Sequence, residues 1–261
     1  MVVSPSMSCG YTFEFCHKTK NFSHYYTDCH EPIVGEVKDW VLNDLAEALP
    51  DFNIDQYFSS QPTIFSDYDH LVLTIDDATG KIVGLIGSRW LRSEEVECLY
   101  IWTAVVGNDY RRTTCFPEML RVHFNRVLND ETPFPAVVAT KTYNPLVYRL
   151  LDIMFCKTPN VSMYPSLVGR EISEKVKEDA GRVARLVAPK LDYCAESSTV
   201  YGGQAAVAPD FFPYMQKTSV EAIWNHFTTH LSRDDQILCV IDIPSDTERD
   251  EVVRRNKWDI L

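Results

Sequence analysis

Glycine is sparse in this chain, ten among 261 residues, and the spacings that cradle phosphates do not occur. There is no G-x-x-x-x-G-K and no G-x-G-x-x-G, so a P-loop nucleotide hydrolase and a Rossmann-bound dinucleotide both lose the turn they depend on. The elbow G-x-S-x-G is missing as well, which removes a common presentation of the serine in a Ser-His-Asp triad. Positive charge is also short: 25 Lys and Arg stand against 37 Asp and Glu, a formal net charge of −12. Nucleic acids and anionic membranes need a basic face, so neither is expected as a partner. No run of about eighteen apolar residues exists, and MVVSPSMSCGYTF carries no basic leader ahead of an apolar stretch. The expectation is a soluble cytoplasmic protein, in which the sequons at Asn21 and Asn160 mean little.

What is present is ample apolar material. Hydrophobic residues make up 45%, with thirteen Tyr, thirteen Phe and five Trp, enough for a full core. Eight cysteines are scattered through apolar patterns, as reduced core thiols are. CHKTKNFSHYYTDCH gathers Cys16, His17, His24, Cys29 and His30. Their adjacent pairs point in different directions along an extended chain and lack the short spacing of a zinc site, so no metal is expected.

The periodicity predicts an alternating order of elements. Tyr11, Phe13 and Phe15 alternate as one buried face of a first strand. Val34, Val37, Val41, Leu45 and Ala48 form a helical stripe that Pro50 ends, and 51–69 has room for a short helix beside a loop. A hairpin follows around DDATGK, with Leu71, Leu73 and Ile75 alternating on its first arm and Ile82 to Leu91 on its second. VECLYIWTAVV, residues 96–106, is apolar on both alternations and fits a central strand. A helix from Thr114 carries Phe116, Met119, Leu120, Phe124, Val127 and Leu128, with His123 on the same stripe as a core histidine. AVVATKTY is a further strand, and Asn144 and Pro145 open a helix with Leu146, Val147, Leu150, Leu151, Met154 and Phe155 on one stripe. Beyond 156 the pattern loosens into a charged amphipathic helix within 169–191, a short strand in SSTVYGG, a helix in SVEAIWNHFTTHL and a buried strand in QILCVIDIP.

VVGNDYRRTTCF, residues 105–116, is therefore strand, turn and helix start, and it holds two arginines. A helix N-terminus offers unpaired N–H groups and the positive end of its dipole to an anion. The alternative reading is that Thr114 simply caps the helix while both arginines are solvated. Cys115 sits at the same helix start, where a thiol pKa is often lowered, but no partnered base is evident.

In order and in local pieces the chain resembles the GNAT acyl-CoA N-acyltransferase superfamily over roughly residues 11–155. KIVGLIG looks like the family's third strand and VECLYIWTAVV its fourth, while TYNPLVYRLLDIMF is similar to the fifth strand and its helix, N-x-x-A-x-x-L-Y-x-x-x-G-F. The resemblance implies an α/β fold with a mixed, mostly antiparallel central sheet flanked by helices. Residues 156–261 would then complete the sheet or form a small subdomain. It implies acetyl-CoA, or another acyl-CoA, as donor, and a small amine as acceptor that attacks the thioester directly. The family's pyrophosphate motif R/Q-x-x-G-x-G/A falls on Arg111, Arg112, Thr113, Thr114, Cys115 and Phe116; Arg111 matches, and Thr114 and Phe116 replace the two small residues. Val105 and Val106 would pair with the pantetheine arm through their backbone, and Asn144 would touch it, cap its helix, or both. The family's carboxylate position falls near Tyr100, with Glu97 upstream on the face of Leu99 and Ile101, where burial would raise its pKa; a solvated strand-end glutamate is the more common reading of Glu97. The usual tyrosine acid falls on Leu151, leaving Tyr148 or Tyr143 to act instead, with core packing as the other role for Tyr148. Loss of the loop glycines and of that tyrosine also fits a catalytically idle binding or regulatory module, or a changed acyl-thioester reaction.

Overall fold

The apolar runs between turn residues become strands, and the stripes between them become helices. The computed structural model describes residues 13–27, 33–130, 133–207, 211 and 215–261. Its elements begin β1 (Glu14–Lys18), β2 (Phe22–Thr27), α1 (Gly35–Ala48), α2 (Ile54–Ser59), β3 (His70–Asp76), β4 (Ile82–Arg92) and β5 (Glu97–Val106). After a 3-10 turn (Asn108–Tyr110) come α3 (Cys115–Asn129), β6 (Val137–Thr142), α4 (Pro145–Met154), β7 (Ser162–Tyr164) and α5 (Glu174–Val187). β8 (Tyr193–Cys194), β9 (Thr199–Val200), α6 (Glu221–His230), β10 (Gln236–Asp242) and α7 (Asp246–Asn256) complete the order. The pairing is mixed and mostly antiparallel, with β5 and β6 parallel, as the resemblance implies. No helix among the described residues is long and apolar enough to cross a membrane.

Two compact units divide the chain. The first takes the chain up to Arg89, Trp102–Pro133 and Lys257–Leu261. In it β1, β2, β3 and β4 lie side by side and antiparallel. The expected first strand is displaced: it starts at Glu14, its register with β2 shifts between Phe15 and His17, and Phe15 is 53% exposed instead of buried. Such a shift breaks the alternation on which the expectation rests; Tyr11 lies outside the described residues. β2 escapes the sequence reading because FSHYYT has one plainly apolar anchor, yet His24 is fully buried there against Thr74. Leu71, Val72 and Leu73 are all buried, so β3 is covered on both faces rather than one, with α3 packed against it. Gly80, at φ +71°, closes the β3–β4 hairpin and donates its N–H to the Asp76 carbonyl at 2.8 Å. At the other end of the unit Phe124 stacks on Trp258, centroids 4.1 Å apart, and Asn125 donates to the Trp258 carbonyl at 2.7 Å.

The second unit takes Trp90–Ile101 and Phe134–Asn256. β5 pairs in parallel with β6 at Leu99↔Val138 and Tyr100↔Ala139. β6 pairs antiparallel with β10 from Thr142↔Ile237 to Val137↔Asp242, and the other edge of β10 carries β9 and β7. Ile237, Leu238, Cys239 and Val240 are fully buried, as a central strand requires. The stripe of α4 sits elsewhere than its apolar pattern predicts: Tyr148, Leu151, Asp152 and Phe155 face inward, while Leu146 is 40% exposed. Burying Asp152 is made tolerable by Arg149 at 2.6 Å and Arg170 at 2.8 Å. The charged run that forms α7 gives no apolar stripe beyond Val252 and Val253, and the sequence reading passes it over.

Candidate active site

The turn after β5 belongs wholly to the first unit. Its only glycine, Gly107, has φ −51°, so it serves packing and not a left-handed bend. A Cβ there would lie 3.0 Å from Ala48 Cβ and 3.1 Å from Tyr110 Cδ2, and the Gly107 N–H donates to the Val83 carbonyl at 2.8 Å. Tyr110 anchors the turn by donating its hydroxyl to Asp76 Oδ2 at 3.0 Å. Arg111 and Thr114 both lie in the right-handed helical region. The conformation therefore never uses the freedom of the glycines that the family motif carries, and Thr114 is accommodated without strain.

Capping at this helix start falls to Thr113 instead of Thr114. The Thr113 hydroxyl donates to the Tyr110 carbonyl at 2.7 Å and accepts the Cys115 N–H at 3.1 Å, whereas the Thr114 side chain makes no cap bond. The N–H groups of Thr114 and Phe116 meet no acceptor among the described residues, and those are the groups a helix N-terminus offers an anion. Arg111 lies over the Phe52 ring at 5.2 Å, and Arg112 is exposed. Phe116 is half-buried. Cys115 is fully buried and its thiol is pushed up to about 12 by burial, with Asp76 adding to the effect, so the lowered pKa of a helix-start thiol does not arise.

Along the first unit's part of β5, Thr103, Val105 and Val106 are buried, while Trp102 is half-exposed and Ala104 exposed. Ala104 is thus the one exposed residue of this stretch before the turn. Thr103 joins two phenols, with the Tyr57 and Tyr68 hydroxyls each 2.7 Å from its Oγ1.

The remaining candidates lie in the second unit. Glu97 is exposed and paired with Arg92, and the turn of Ser93 to Val96 leaves it at a solvated strand end. Tyr100 is 3% exposed. Tyr148 is 1% exposed, donates its hydroxyl to the Pro165 carbonyl at 2.8 Å and accepts the Leu167 N–H at 2.9 Å. Burial drives this phenol far above its ordinary pKa, and its one proton is committed to the backbone, which is the core role and not that of an acid. Tyr143 is half-buried, its phenol also raised by burial. Asn144 Oδ1 accepts the Leu146 N–H at 3.0 Å, and its Nδ2 donates to Gln216 Oε1 at 3.2 Å. The cap is thus made, and Gln216 is a partner that no local pattern announces.

Several solved N-acetyltransferases are similar in part. A GNAT family N-acetyltransferase from Escherichia coli, in complex with CoA, shares 12% identity over 52% of this chain and 71% of its own, with a TM-score of 0.37. An aminoglycoside acetyltransferase from an uncultured soil metagenomic sample, in complex with trehalose, shares 14% over 58% and 92%, with a TM-score of 0.36. Naa50 of Arabidopsis thaliana, in complex with a bisubstrate analogue, shares 15% over 55% and 84%, with a TM-score of 0.33. No protein-family model matches the chain, and no curated protein matches it.

Proposed function

We propose that this protein is a GNAT-type N-acyltransferase that moves an acyl group, acetyl by default, from CoA to a small amine. The observation that carries the reading is the exposed Ala104 on β5 and, after it, a turn with two N–H groups that meet no acceptor among the described residues and the Arg111–Arg112 pair. The arginines and the helix start supply positive potential for a diphosphate, while Val105 and Val106 offer backbone to the pantetheine arm. In the reaction the amine nitrogen attacks the thioester carbonyl carbon, the C–S bond breaks, and the thiolate takes up a proton. No side chain is assigned as the base or as the donor of that proton. Residues 11–155 form the acyltransferase part in this reading, with 156–261 as a C-terminal extension. No disulfide joins the cysteines among the described residues, which suits a cytoplasmic protein.

Calorimetric titration with acetyl-CoA, joined to a free-thiol release assay across a panel of small amines, tests the reading. Saturable binding with amine-dependent thiol release supports it, and absence of heat at every concentration sinks it. The solvated pairing of Glu97 and the backbone-bound hydroxyl of Tyr148 favour the idle binding module as a second reading. That reading expects CoA binding with no thiol release.

A further inference from the structure

We propose that Arg89 is the recognition group for a carboxylate on the acceptor amine, an inference that rests on the acyl-transfer reading and names its substrate class. In a chain with a clear excess of acids, most arginines have found one: Arg92 with Glu97, Arg121 with Glu118, Arg126 with Glu14 and Arg182 with Asp179. Arg89 is half-buried, has no acidic partner among the described residues, and its Nε is buried without an acceptor. A charge withdrawn from water in this way is costly unless something supplies the missing acceptor.

Its surroundings hold the guanidinium in place. The group lies over the Trp102 ring at 4.2 Å, so its face is satisfied by the indole while its Nε–H has no acceptor among the described residues. Trp102 is itself oriented, since its Nε1 donates to Gln61 Oε1 at 2.9 Å and Tyr68 packs edge-on at 5.9 Å. Tyr68 in turn lies on Gly87, where any Cβ would come within 2.3 Å of the ring, and donates to Thr103. Gly87 and Arg89 share one face of β4, the opposite face from Ser88, whose hydroxyl lies 2.8 Å from His123 Nε2. A rigid aromatic layer thus holds a guanidinium whose Nε–H lacks an acceptor among the described residues. A fork of coplanar donors matches a planar carboxylate, and a single arginine balances one negative charge, not the two of a phosphate. Trp102 stands four residues, about 13 Å along the strand, from Val106 at the turn, on the same alternation of β5 as the exposed Ala104. Amines that carry a carboxylate, such as amino acids, are the acceptors this arrangement fits.

The test uses the full chain without CoA, so its outcome is independent of the donor. Calorimetry would compare β-alanine, β-alanine amide and inorganic phosphate on the wild type, Arg89→Met and Arg89→Lys. Methionine keeps an apolar stem on Trp102 and removes every donor; lysine keeps the charge and loses the fork. The wild type is expected to bind β-alanine at least about tenfold more tightly than the amide, the size of one charge-assisted pair. R89M is expected to erase that preference and R89K to reduce it. Equal affinity for acid and amide, absence of carboxylate-dependent heat, a preference that survives in R89M, or tighter binding of phosphate would each overturn the proposal. Should R89M not fold, an undiminished preference in R89K overturns it alone. Acetyl-CoA titration, run separately, reports on the acyl-transfer reading, so the two fail distinguishably.

Discussion

The Tyr110 hydroxyl donates to Asp76 Oδ2, pinning the turn after β5 to the β3–β4 hairpin. Asp76 is itself held by the hairpin, accepting the Ala78 N–H at 3.2 Å and the Thr79 hydroxyl at 2.9 Å. Tyr110→Phe removes one hydrogen bond from a part-exposed site, so stability is expected to fall by about 1 kcal/mol or less. If the turn is the diphosphate site, acetyl-CoA affinity should fall several-fold more than so small a stability change explains. Denaturant melts and calorimetry on the same preparation separate the two, and unchanged affinity would detach the turn from the cofactor.

Arg111 and Arg112 carry a sharper expectation. Their joint replacement by Ala removes the stacking contact of the half-buried Arg111 with Phe52 and the exposed charge of Arg112, which together are expected to cost about 1 kcal/mol or less of stability. Loss of acetyl-CoA affinity is expected to be about tenfold or greater, with a shallower dependence on salt, because fewer charges face the diphosphate. A double variant that binds as the wild type does would exclude these arginines as phosphate ligands.

The order of elements from α1 to α4 was legible because each carries a strong period and a turn or cap: Pro50, Gly80, Asn144 and Pro145 all mark ends. The candidate turn was legible in position but not in chemistry. Local pattern gives Thr114 as the cap, and only the coordinates show the Thr113 hydroxyl bridging Tyr110 and Cys115. For Glu97 and Tyr148 the sequence leaves two roles open, because alternation or helical stripe says which face a residue shares and not what meets it there. The acid that solvates its charge beside Arg92, and the phenol that bonds residues 165 and 167, are set by partners distant in the argument from any stripe. Arg89 was invisible for the same reason, since its environment comes from Trp102 on the next strand and Tyr68 in a loop.

The cap assignment has its own test. Thr113→Ala loses both side-chain bonds and is expected to lower stability by about 1 kcal/mol, while Thr114→Ala should change it by a few tenths. The opposite ranking in urea melts would return the cap to Thr114.

Gly107 makes a prediction about packing. A Cβ at this position crowds Ala48, so Gly107→Ala is expected to cost about 1–3 kcal/mol, and Ala48→Gly in the same chain should recover part of it. A double-mutant cycle with no coupling would mean that the closeness of α1 to this turn is not what requires glycine.

The buried histidines of the first unit set the response to acid. His24 is lowered to about 4 by burial, with the neighbouring His17 and Arg121 adding to the effect, and His123 is lowered well below its ordinary 6.5 by burial and by His70. Between those values and 6.5 the unfolded chain binds protons that the folded chain refuses, so stability rises with pH across this window and is lost as pH falls through it. The shift at His24 alone corresponds to about 3 kcal/mol at most, fully present above pH 6.5 and gone by about pH 4. Urea melts from pH 7.5 to 4.5 should therefore show a falling midpoint with no matching change in slope. His24→Gln can still hydrogen-bond to Thr74 and does not titrate, so it is expected to flatten that fall; a curve as steep as the wild type's would mean that His24 already carries its proton in the folded protein.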